Sequence, residues 1–178
     1  MTRIPFTKAH GARNDFLLTW AHEAPQSNLR EAAIAIMDRH AGVGADGWLL
    51  VSPPREAEPA AIRLFNPDGG EVEISGNGTR CAAAFLADSG HAAELVQIRT
   101  GAGVKDLRLL DRDGLRFQFE MDMGKVRCVT LAHTLILRGG TREATLLDAG
   151  NPQCALFVED FEFDWKSLGA EIEVHPDF

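Results

Sequence analysis

Cysteine is scarce in this chain. Cys81, Cys128 and Cys154 cannot all pair with one another, and they show no metal-ligand spacing. Each is therefore read as a small buried apolar residue, and no metal is expected. Positive charge is short as well. With 18 Lys and Arg against 26 Asp and Glu, the net charge is −8. That balance argues against a general nucleic-acid surface, and no basic run stands out. Long apolar runs are missing, so no membrane span is expected. The stretch Met1-Thr2-Arg3-Ile4-Pro5-Phe6-Thr7-Lys8 lacks an apolar core of signal-peptide length. These absences together point to reduced thiols and a cytoplasmic setting. Short repeats and low-complexity segments are also missing.

What is there is globular. The 178 residues are 45% hydrophobic and 25% charged, enough for one ordinary domain or two small ones. The central stretch runs from Ile74 to Leu86. Glu71 to Ile74 alternates polar and apolar, as a half-buried strand does. From Arg80 onward, Cys81, Ala82, Phe85 and Leu86 fall at helical spacing, and Asp88-Ser89-Gly90 supplies a stop. Ser75-Gly76-Asn77-Gly78 lies between as a polar loop opening onto a helix N-terminus. Such a terminus attracts carboxylate or phosphate. A tight strand-to-helix turn accounts for the same residues, and the local pattern does not separate the two.

The rest reads as α+β, antiparallel strands with two or three helices. Phe6 to Trp20 forms two short strands around His10-Gly11-Ala12-Arg13-Asn14, with Asn14 in the turn. Asn28 to His40 is a helix with Leu29, Ala32, Ala33, Ile36 and Met37 on one stripe. Asn28 and Glu31 form a capping-box-like pair, and Gly42 stands where a C-terminal glycine would. Gly42-Val43-Gly44-Ala45-Asp46-Gly47 has dinucleotide-fingerprint spacing. Its context is reversed, with a helix before it and an apolar strand after it. Asp46 is read as an N–H acceptor in that loop rather than a ligand.

Ser52 to Pro59 is a surface loop. Ala61 to Asn66 is a strand that turns at Pro67-Asp68-Gly69-Gly70. Beyond Gly90 the pattern is β. Leu95 to Thr100 is one strand. Leu107 to Leu110 and Leu115 to Met121 flank a turn at Asp111-Arg112-Asp113-Gly114. Met123-Gly124-Lys125 divides the chain into residues 1–123 and 124–178. Thr134 to Leu137, Thr145 to Asp148 and Ala155 to Val158 are further strands, and Phe163 to Leu168 starts a helix.

Five segments, in order, carry a resemblance. They are His10-Gly11-Ala12-Arg13-Asn14-Asp15-Phe16, Gly42 to Gly47, Phe65-Asn66-Pro67-Asp68-Gly69, Ser75 to Cys81, and Gly150-Asn151-Pro152-Gln153-Cys154. Together they resemble the successive motifs of diaminopimelate epimerase. The resemblance implies two similar lobes, each a curled, mostly antiparallel sheet around a central helix. It implies a cofactor-independent isomerase that interconverts LL- and meso-diaminopimelate for lysine and cell-wall synthesis. Two thiols would work on opposite faces of the α-carbon. Asn14, Asn66 and Asn151 would hold the amino and carboxylate groups of this small-molecule partner. Gly76 and Asn77 would donate backbone N–H groups to its carboxylate.

Three departures accompany the resemblance. The catalytic cysteine of the first lobe falls at Ser75, and its partner histidine falls at Gln153. A hydroxyl is a far poorer base than a thiol, and Gln cannot relay a proton as His does. The motif that carries the opposing cysteine is not matched, so the second lobe is expected to be incomplete. Two alternatives follow: a related racemase or hydroxyproline-type dehydratase, and an inactive carboxylate-binding derivative. A monomer and a homodimer both fit the acidic, two-lobed reading.

Overall fold

The computed structural model describes residues 3–56 and 58–178. Met1, Thr2 and Ala57 lie outside the described residues. The N-terminal reading and the Ser52 to Pro59 loop touch on these positions. The chain divides into two compact units, one ending at Met123 and one running from Gly124 to Phe178.

The first unit is an eight-stranded sheet with two helices. Its strands are β1 (Thr7–Gly11), β2 (Asn14–Trp20), β3 (Gly47–Ser52), β4 (Ala60–Phe65), β5 (Glu71–Val72), β6 (Leu95–Thr100), β7 (Gly103–Asp113) and β8 (Arg116–Met121). The order is β1-β2-β3-β4-β6-β7-β8, with β5 paired to β4. Pairing is parallel for β2–β3 and β4–β6 and antiparallel elsewhere. The helices are α1 (Leu29–Met37) and α2 (Gly76–Asp88).

Burial explains these elements. Phe16-Leu17-Leu18 and Trp48-Leu49-Leu50-Val51 do not alternate with polar residues, because β2 and β3 are covered on both faces. Phe16, Leu18, Leu49 and Val51 point into one core with Cys81, Ala82, Ala83 and Leu86 of α2. Leu17, Trp48 and Leu50 point the other way, onto Ala33 and Met37 of α1. Helix α2 touches β1 and β8, the two ends of the sheet order, as well as β2, β3, β4 and β6. The sheet therefore curls around α2. The small side chains of Ala82 and Ala83 let the strands come close, and both are fully buried.

The second unit has β9 (Arg127–Leu137), β10 (Gly140–Asp148), β11 (Pro152–Ala155) and α3 (Trp165–Glu173). Its antiparallel sheet runs β11-β10-β9. Leu135, Leu137 and Ala144 form its core, with Cys154, Leu156, Leu168 and Ile172 packed against them. Asp164 caps α3 by accepting from Ser167 N–H at 3.1 Å. No helix among the described residues is long and apolar enough to cross a membrane.

Several local expectations change. Asn28 adopts a left-handed conformation (φ 58°) and makes no side-chain cap bond, so the capping box is absent. Helix α1 ends at Met37, and Gly42 is needed for a different reason. A Cβ there would lie 2.2 Å from Ala35 O, so the loop doubles back against the helix end. The strand expected over Glu71 to Ile74 stops at Val72. The turn of the β7–β8 hairpin falls at Gly114-Leu115, because a register shift between Leu109 and Asp111 carries β7 three residues past Leu110. The expected strand Ala155 to Val158 is displaced to Pro152–Ala155, and Phe157 is 91% exposed. Of the three cysteines, only Cys81 is buried, while Cys128 is exposed.

Candidate active site

The site begins at the N-terminus of α2. Ser75 is its N-cap, in extended conformation, and its Oγ accepts from Gly78 N–H at 3.1 Å. Ser75 O accepts from Thr79 N–H and from Thr79 Oγ1, both at 2.8 Å. The N–H groups of Gly76 and Asn77 precede the first intrahelical bond, so they face outward from the positive end of the helix dipole. Gly78 must be small. A Cβ there would press on the Phe16 ring at 3.1 Å, and this close approach seats the helix end on β2.

Strand β2 brings Asn14 to the same place. Asn77 Nδ2 donates to Asn14 Oδ1 at 3.4 Å, and Arg80 donates to Asn77 Oδ1 at 2.5 Å. On its other side, Asn14 Nδ2 donates to Asp46 Oδ2 at 2.9 Å. Asp46 lies just before β3, in the glycine-rich loop. Its Oδ2 also accepts from Asp15 N–H at 3.0 Å, so it is an N–H acceptor. The parallel pairing of β2 with β3 brings Asp15 and Asp46 side by side. The turn leading into Asn14 is strained, with Ala12 at φ 53° and Arg13 at φ 68°.

A charged cluster backs this arrangement. Arg39 donates to Asp15 Oδ1 and to Asp46 Oδ1, each at 2.7 Å, and Lys8 lies 3.1 Å from Asp15 Oδ2. The Arg39 guanidinium holds the Asp15 carboxyl far below the usual carboxylate range, with Lys8 adding to the effect and burial opposing it. Arg39 is raised in turn, chiefly by its bond to Asp15. The folded carboxyl is thus more acidic than the unfolded one. Its stabilising contribution is complete above about pH 4 and is lost as pH falls toward the folded value. Asp15→Asn is expected to flatten the acid side of the stability profile below about pH 4. Urea midpoints at a series of pH values check this, and an unchanged acid slope contradicts it.

The remaining site residues are placed as follows. Asn66 follows β4 in a tight turn, with Asn66 N–H donating to Gly70 O and Asn66 O accepting from Gly69 N–H, both at 2.8 Å. Asn151 and Gln153 belong to the second unit. Gln153 is exposed on β11 opposite Leu147, and Asn151 O accepts from Ala149 N–H. In the first unit the structure therefore joins Asn14, Ser75, Gly76 and Asn77 into one locus. Sequence reasoning missed Lys8, Asp15, Arg39 and Arg80 as parts of it. Arg39, in the turn after α1, and Arg80, on α2, carried no signal beyond charge.

Cys81 lies one turn into α2. Burial pushes its thiol up to about 11, against which Arg80 acts weakly. It is not a base at neutral pH. Among the described residues, no group of three or more His, Cys, Asp or Glu is placed to hold a metal ion.

The sequence model described as Diaminopimelate epimerase matches residues 6–129. A diaminopimelate epimerase of Pelotomaculum thermopropionicum is 35% identical over 97% of this chain and 67% of its own length. One from Nostoc punctiforme is 39% identical over 98% of this chain and 68% of its own. The chain thus spans about two thirds of these relatives. Among solved structures, a probable proline racemase from Agrobacterium radiobacter is similar at a TM-score of 0.66 and 16% identity, covering 82% of this chain and 49% of that one. A hydroxyproline epimerase from Agrobacterium vitis follows at 0.61 and 16% identity, covering 80% and 48%. At such identity these two speak for the fold. The matched span, and the agreement in sequence along nearly the whole chain, place this protein in the diaminopimelate epimerase family.

Proposed function

We propose that this chain carries the substrate-cradling lobe of a cofactor-independent epimerase that interconverts LL- and meso-diaminopimelate. The observation that carries the reading is the outward N–H pair at Gly76 and Asn77, set beside the Asn14 carboxamide. A substrate carboxylate bonded to those N–H groups faces the positive end of α2, where charge that develops on removal of the α-proton is stabilised. In the proposed reaction one base takes the α-proton from one face. A second group returns a proton to the opposite face, which inverts the centre with no net change in atoms. Asn66 and Asn151 enter this reading as further substrate-binding positions, and Gln153 as the position of the partner histidine.

Ser75 bears on how far the chain goes alone. Its Oγ accepts from Gly78 N–H, and no carboxylate, histidine or lysine among the described residues is bonded to it. An unactivated hydroxyl is a weak base. This supports a second reading, in which the chain binds the amino acid and does not exchange its α-proton.

The test is LL-diaminopimelate in D2O, with α-deuteration followed by NMR and binding followed by calorimetry. Binding with exchange supports the epimerase, and binding without exchange supports the derivative. Absence of both removes the amino acid as ligand.

A further inference from the structure

One chain of hydrogen bonds crosses the site from a full cation to a full anion. It runs from Arg80 to Asn77 Oδ1 at 2.5 Å, from Asn77 Nδ2 to Asn14 Oδ1 at 3.4 Å, and from Asn14 Nδ2 to Asp46 Oδ2 at 2.9 Å. A guanidinium only donates and an ionised carboxylate only accepts. Each carboxamide between them has one donor end and one acceptor end. The two charged ends therefore dictate which way both amides point. Turning Asn77 over sets its carbonyl against that of Asn14, and turning Asn14 over sets its carbonyl against the Asp46 carboxylate. Arg39 holds Asp46 Oδ1 at 2.7 Å, so the anionic end is itself fixed.

We propose that Arg80 and Asp46 are positioning residues that set, from opposite ends, the amide orientations of Asn77 and Asn14. In that orientation Asn14 turns its carbonyl oxygen toward the start of α2. The 3.4 Å link to Asn77 is the longest in the chain and leaves that oxygen able to accept again. An acceptor then stands beside the outward N–H groups of Gly76 and Asn77. This matches an α-amino acid zwitterion, with its ammonium on Asn14 Oδ1 and its carboxylate on the helix N–H groups. The ligand assignment rests on the proposed function; the polarity of the chain does not.

The test uses the whole 178-residue chain. Side-chain amide signals of Asn14 and Asn77 are recorded by 15N NMR without ligand. Arg80→Met is expected to shift the Asn14 signals, two links away, and to speed solvent exchange at both amides about tenfold. Asp46→Ala is expected to do the same to Asn77 from the other end. Arg80→Lys, which still donates, retains most of the native signals, and Arg63→Met, in an exposed pair with Glu71, moves neither amide. Circular dichroism confirms that each variant is folded, and two independent ends keep the test decisive if one is not. Asn14 signals unmoved by Arg80→Met, with Asn77 signals unmoved by Asp46→Ala, overturn the proposal. LL-diaminopimelate affinity is read in parallel, and Arg80→Met is expected to weaken it about tenfold, with partial recovery in Arg80→Lys. If the native chain binds no diaminopimelate while the amide shifts appear, the positioning role stands and the ligand reading falls.

Discussion

Ser75→Cys is expected to install a thiol that alkylates at least tenfold faster than Cys81 at pH 7.5. Burial holds Cys81 at about 11. An unperturbed thiol titrates near 8.5, and a helix N-terminus lowers that further. At pH 7.5 the ordinary thiol is about 10% thiolate, and one at 11 is about 0.03%, a ratio near 300. The more basic thiolate is the better nucleophile, which returns roughly a factor of ten. Roughly twentyfold to thirtyfold remains. The 4% exposure of Cys81 then slows its reaction further. Iodoacetamide labelling with mass mapping separates position 75 from Cys81 and from the exposed Cys128. Equal rates at positions 75 and 81 would mean that burial does not hold the Cys81 thiol up as described.

The same substitution has a structural cost, because Ser75 Oγ is the cap that accepts from Gly78 N–H. Sulfur caps poorly, and about 1 kcal/mol of helix stability is expected to go. Position 75 thus trades a good cap against a usable base. The serine chain holds the more stable end of that exchange.

Legibility in the sequence followed the range of the interaction. Strand β6 coincides with the expected Leu95 to Thr100, because its buried residues Val96, Ile98 and Thr100 alternate with exposed ones. The α1 stripe was equally local, and Ala33 and Met37 are its buried members. Elements set by distant partners were misplaced. Glu73 alternates correctly with Ile74, yet the chain leaves β4 after Val72. There the Glu73 backbone packs against Gly101, where an added Cβ would lie 2.7 Å away. The end of β7 depended on a register shift that only pairing with β8 reveals. The site divided in the same way. The Ser75 to Gly78 loop stood out by glycine content and by its place between a strand and a helix, a pattern that a plain turn shares. The Arg80–Asn77–Asn14–Asp46 chain has links 63 and 32 residues apart in sequence, and no periodicity reports a hydrogen bond over that distance.

Trp48→Ala is expected to destabilise the first unit by about 3–5 kcal/mol. Trp48 is fully buried on β3, against Phe65 at a ring-centroid distance of 6.0 Å, in the core that α1 covers. Removing the indole leaves a cavity that β2, β3 and α1 cannot collapse into together, since β2 and β3 are packed on their other faces as well. Its Nε1–H also donates to Thr19 Oγ1 at 2.9 Å, and Thr19 donates on to Pro5 O at 3.0 Å. Thr19 is 1% exposed, so it gains no water in exchange. Trp48→Phe keeps most of the volume and loses the bond, for an expected cost of about 1–2 kcal/mol. Against a typical total stability of 5–15 kcal/mol, the alanine change removes a large share. Trp20 reports the transition by fluorescence. It packs on Phe85 of α2 at 4.4 Å, and Trp165→Phe silences the second unit. Equal costs for the alanine and phenylalanine variants would assign the effect to the hydrogen bond rather than to packing. A cost below 1 kcal/mol for alanine would mean that α1 re-seats on β3 without the indole. Asp46 and Gly47 immediately precede this residue, so such re-seating would also move the anchor of Asn14, and the side-chain amide signals would show it.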